Sequence, residues 1–149
     1  MRRSIGRIAV MISLAVVAAC AQQAPAAKPT YTLTIHVQGV NNQGGNIGVL
    51  VFNSEKGWAE NRSVALRDVI EPAHPGAVIV TIPNLPAGDY AVAVCHDVNQ
   101  NHKLDRNWIG IPNEQWGMSN NPHAYIKAPP FSKARFSISG NAEIWVQMQ

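Results

Sequence analysis

"YTLTIHVQGV", residues 31 to 40, alternates apolar and polar side chains. Leu33, Ile35 and Val37 fall on one face, and Thr32, Thr34, His36 and Gln38 on the other. Successive side chains of a strand point to opposite faces, so this is a β-strand covered on one side and wetted on the other. "NNQGG" (41–45) follows, with residues that tolerate positive φ, and predicts a hairpin into "NIGVLVFN" (46–53). "VALRDVI" (64–70) suits a short edge strand. "HPG" turns the chain into "AVIVTIP" (77–83), and "NLPAG" turns it again into "DYAVAVCHD" (89–97). "ARFSISG" (134–140) and "AEIWVQM" (142–148) read as a final hairpin turning at Gly140–Asn141. "NSEKGWAENRS" (53–63) has room for one helical turn, and no longer amphipathic helix is evident. About seven short strands make the chain all-β, an antiparallel two-sheet sandwich. The segment from Asp97 to about Lys133 breaks the rhythm. Such a long irregular loop in a small domain tends to be functional.

The N-terminus predicts an exported protein. "MRRSIGR" is basic, and "IAVMISLAVVAA" is an apolar run that ends in small residues before Cys20. It is a secretory signal, too short to span a bilayer as a mature helix. "VAAC" resembles the lipobox of bacterial lipoproteins, which implies cleavage after residue 19 and acylation of Cys20. An ordinary signal with an incidental cysteine is the plainer alternative. Ala21, rather than Asp, suggests outer-membrane sorting, facing the periplasm. Residues 20–30, holding "AQQAPAAKPT", lack branched apolar side chains and read as a tether, leaving 31–149 as the folded domain. Loss of Arg2, Arg3 and Arg7 would leave nine basic against nine acidic residues. A neutral domain without a Lys/Arg cluster offers no footprint for nucleic acid. The expected association is with a membrane through the lipid anchor. If Cys20 is acylated, Cys95 has no internal disulfide partner, and its apolar run favours a structural thiol over a reactive one.

"CHDVNQNHKLDRN" (95–107) carries the strongest site signal. Asp97, Asn99, Asn101 and Asp105 place oxygens at positions 1, 3, 5 and 9 of a loop, and Lys103 supplies a carbonyl at 7. Ca²⁺ takes six to eight oxygens at about 2.4 Å and is served by this spacing. Position 12 is Trp108, position 6 is His102 rather than Gly, and a strand leads in, so the stretch is EF-like rather than an EF-hand. Glu114 is a candidate third carboxylate. Zinc or copper fits less well, preferring nitrogen and sulfur. The plainer alternative is an Asn/Asp-rich turn whose side chains bond their own backbone.

The other chemistry-bearing residues form no recognised pattern. His36, His74, His96, His102 and His123 show neither metalloprotease spacing nor a companion nucleophile elbow. His96 and Asp97 adjoin, but neighbouring strand residues face opposite ways. Trp108, Trp116, Tyr125 and Phe131 would line a sugar or peptide groove, or pin the long loop down as a satellite core.

The run "LPAGDYAVAVCHDVNQNHKLDRNWIGIPNEQWGMSNN" (85–121) resembles the DUF2141 family of exported bacterial proteins. Gly88, Tyr90, Asp97, Asn99, Asn101, Asp105, Gly110, Pro112, Glu114, Gly117 and Ser119 carry the match, and His102 departs from the usual Gly. "LPAGDYAVAV" is also similar to a strand start of prealbumin-like sandwiches, so the resemblance implies an immunoglobulin-like or prealbumin-like sandwich. It implies no activity.

Two readings of function stay open. One is a non-enzymatic envelope lipoprotein whose calcium-stabilised loop presents a surface to a protein or glycan. The other is an envelope hydrolase using Asp97, Asp105 or Glu114 as acid and base near His96 or His123. A purely structural spacer is a third possibility.

Overall fold

The computed structural model describes residues 27–42, 44–123 and 127–149. The signal segment, Cys20, most of the tether and Tyr125 lie outside the described residues. The domain is an all-β sandwich of eight strands: β1 (Thr30–Val40), β2 (Asn46–Phe52), β3 (Arg67–Pro72), β4 (Gly76–Pro86), β5 (Gly88–Asp97), β6 (Trp116–Met118), β7 (Phe136–Ile138) and β8 (Ala142–Gln147). One sheet has the order β4-β1-β8 and the other β3-β2-β5-β6, with β7 also paired to β5. A 3₁₀ turn at Arg62–Val64 and one turn of helix, α1 (Phe131–Ala134), complete the elements among the described residues.

The core follows from alternation. Leu33, Ile35 and Val37 of β1 and Val78, Val80 and Ile82 of β4 face Ile47, Val49 and Val51 of β2 and Val92 and Val94 of β5, all buried. The second sheet is covered on its outer face too. There Leu50, Phe52, Ala91, Ala93 and Met118 form a second cluster with Phe131 and Ala134, flanked by Trp58 and Trp116. Trp58 meets both Phe52 and Phe131 edge-on, at centroid distances of 5.3 and 5.6 Å. Trp116 and Phe131 therefore belong to a satellite core, whereas Trp108 stands 94% exposed.

Three pairings differ from the sequence expectation. "NNQGG" does not close a hairpin, because β1 and β2 belong to different sheets. The outer face of β1 is polar and wet, whereas that of β2 carries Leu50 and Phe52, which need cover. The last two strands do not pair with each other. β7 joins the start of β5, and β8 runs parallel to β1 along Leu33–Gln38. The sheets are thus antiparallel except at this edge. Finally, β6 interrupts the long loop, too short at three residues to show any period.

β6 also closes one end of the sandwich. Gln149 and Trp116 exchange backbone hydrogen bonds of 2.8 and 3.3 Å. A Cβ on Gly117 would lie 2.7 Å from Val146 Cγ1, so only glycine lets the strand approach.

Candidate functional site

The oxygen-rich loop begins where β5 ends. Asp97 is 3% exposed, and its carboxylate accepts the backbone N–H groups of Asn101 (3.0 Å) and His102 (2.7 Å). Asn99 Oδ1 accepts the Asn101 N–H at 3.2 Å, and Asn101 Oδ1 accepts the Lys103 N–H at 2.9 Å. The Nδ2 groups of Asn99 and Asn101 donate to the two oxygens of Asp105, at 2.6 and 2.8 Å. Glu114 locks the stem, accepting the N–H of Val98 at 2.9 Å and of Asp105 at 3.0 Å. Gln100 and His102 take left-handed conformations (φ 60° and 63°) to complete the turn. His102 thus adopts a backbone geometry usually left to glycine.

Asp97, Asn99, Asn101, Asp105 and Glu114 are therefore joined in one hydrogen-bonded unit, with Lys103 on the same turn. Among the described residues, no three His, Cys, Asp or Glu side chains are arranged to hold an ion. The amides now present nitrogen to Asp105. Half a turn about each terminal bond would present oxygen instead, and the two atoms are assigned by the hydrogen bonds around them.

The histidines are dispersed. His96 is buried on the core face, with Nε2 2.7 Å from the Gly44 carbonyl and Nδ1 3.4 Å from Gln115 Oε1. It bridges the β1–β2 connection to the long loop. His36 stacks on Trp145 (5.0 Å, 8°) beside Glu143 at 3.1 Å. His74, His102 and His123 are exposed.

A cleft of about 440 Å³ opens on the outer face of the second sheet, between the 59–63 segment and the 102–106 segment. Leu50, Ala93, Cys95, Trp116 and Met118 form its floor. Burial pushes the Cys95 thiol up to about 11, opposed by the positive charge of Arg62 and helped by Asp97 and Glu114. None of Asp97, Asp105, Glu114, His96 or His123 lines this cleft.

A family model described as an uncharacterized protein conserved in bacteria (DUF2141) matches residues 35–145, from within β1 to within β8. The chain belongs to the DUF2141 family. Searches of curated proteins and of solved structures returned no match. The loop and the cleft of this DUF2141 domain both lie inside the matched span. Two of its organising residues had no signal in the sequence. Gln115 accepts the Asn41 N–H and donates to the Gly39 carbonyl, both at 2.9 Å. Arg62 pairs through two nitrogens with Asp68 and donates to the His102 carbonyl at 3.5 Å. The Gln115 bonds and the Arg62–His102 bond join residues 40 or more apart, so no local pattern encodes them.

Proposed function

We propose that this DUF2141 domain is a non-enzymatic envelope module, tethered by a lipid on Cys20 and facing the periplasm, whose 97–114 loop is stiffened by calcium. The observation that carries the ion reading is the gathering of Asp97, Asn99, Asn101 and Asp105 into one turn, with both amides in reach of Asp105. An ion would take the Asp97 and Asp105 carboxylates, the Lys103 carbonyl and the two amides turned oxygen-inward, each amide giving up the backbone N–H its oxygen now accepts. Glu114 would join by releasing one of its N–H partners. Two or three carboxylates suit a dissociation constant of about 0.1 to 1 mM, the range of extracellular modules. A non-enzymatic role is supported by the same bonds. Both oxygens of Asp97 and of Glu114 hold backbone N–H groups, and neither residue faces the cleft.

The test is a thermal melt of the full chain in EDTA, then in about 10 mM calcium, with magnesium as control. Binding to the folded state alone at ten to a hundred times the dissociation constant adds about 1.4 to 2.7 kcal/mol. A domain of this size would then melt a few degrees higher. Asp97→Ala and Asp105→Ala should each abolish the shift. No calcium-specific shift in the unaltered chain overturns the reading. Lipid labelling that is lost in Cys20→Ala checks the anchor separately.

A further inference from the structure

We infer that the cleft over β5 and β6 binds a small organic carboxylate with an apolar body. Its size lies within the ordinary range for small-molecule sites, about 300 to 1,000 Å³. The space exists because the side chains beneath and beside it are small. Ala93 sits on the floor, and Ala59 and Ala128 on the sides. Leu50, Met118 and Trp116 supply apolar contact, and a methionine can adapt to an irregular ligand.

The walls carry the opposite chemistry. Arg62, Lys103, Arg106 and Lys127 line the cleft, against one carboxylate, Glu60. Glu60 lies 3.7 Å from Arg106, and Arg62 is held by Asp68. Lys103 makes no ion pair among the described residues, so the cleft keeps a net positive charge beside an apolar floor. A concave site with low-dielectric walls concentrates such a field. It attracts an anion, and the floor rewards an apolar body behind the charge. Phosphate or a bare inorganic ion would leave that floor unused. The Arg62 bond to the His102 carbonyl ties the two walls together before any ligand arrives. The Asp97 carboxylate already holds the Asn101 and His102 N–H groups, so this wall stands in place without an ion in the neighbouring loop.

Equilibrium dialysis of the full chain in EDTA tests this with 1-naphthoate and decanoate against their neutral alcohols, naphthalene-methanol and decanol. One favourable charge contact should make the acids bind about tenfold tighter than the alcohols. Lys103→Glu, an exposed change, should erase that preference without altering the melt. Saturating naphthoate should slow alkylation of Cys95 in the folded chain but not in the same chain unfolded in urea. Either order of naphthoate and decanoate supports the site, the first assigning a flat body and the second a chain. Acids bound no better than alcohols, a Lys103→Glu protein that binds like the original, or Cys95 alkylation unchanged at saturation would each overturn it.

Discussion

The backbone of Gly45 presses against the backbone carbonyl of Asp97. At φ +72° the missing Cβ would overlap that oxygen and the Cα of Val98. The β1–β2 connection is thus the seat on which the oxygen-rich loop is rooted, and Asn46 pairs with Asp97 at the same level. Gly45→Ala combines left-handed strain with a clash against backbone, which cannot swing aside. It should cost about 3 kcal/mol or more in urea denaturation. Gly76 is the control: it also has positive φ (+91°), but nothing lies within 4 Å of its Cβ position. Gly76→Ala should cost only about 1 kcal/mol.

Asp97 stabilises the loop without any ion. Its buried carboxylate accepts two backbone N–H groups, bonds strengthened by its charge. Asp97→Asn keeps the shape but turns an amide NH₂ toward one of those donors. Denaturation in EDTA should show a loss of about 2 kcal/mol. Glu114→Gln, at a half-buried site, should lose about 1 kcal/mol. Equal stability of Asp97→Asn and the unaltered chain would mean the turn holds by its backbone alone.

Ser119 ties α1 to the second sheet. Fully buried, its Oγ accepts the Val92 N–H at 2.9 Å and donates to the Ala134 carbonyl at 2.6 Å. Ser119→Ala strands both partners in a dry place and should cost about 1 to 3 kcal/mol. Hydrogen exchange should quicken at the Val92 amide and at α1 before it does at β1, whose ladder does not involve Ser119.

The long strands were legible from their own side-chain patterns. β1 and β4 alternate cleanly, and the polar face of β1 is the wetted one. Pairing was less legible, since period two says which face is buried but not which neighbour lies beside it. The near-continuous apolar runs of β2 and β5 did hold a clue that both of their faces are covered. At the site, the spacing of Asp97, Asn99, Asn101 and Asp105 was enough to foresee one turn. The cleft was not legible, because it is defined by what small residues such as Ala93 leave empty. Its walls come from segments some forty residues apart, joined by Arg62 and His102.

Cys95 makes folding sensitive to alkaline pH. Burial raises its pKa from 9.0 to about 11 in the folded chain. Between those values the unfolded chain releases the thiol proton while the folded chain keeps it, so the folded state binds more protons. Stability is therefore full below about pH 9, falls as pH rises toward 11, and levels off once both states are ionised. Two units correspond to at most about 2.7 kcal/mol, and partial exposure of Cys95 reduces this to about 2 kcal/mol. Urea midpoints of the unaltered chain and of Cys95→Ala, compared from about pH 8 to 11, isolate the effect, because every other titrating group is common to both. The gap between the two proteins should narrow by that amount across the window. A constant gap would mean that the thiol ionises as readily in the folded protein as in the open chain, and that water reaches the floor of the cleft.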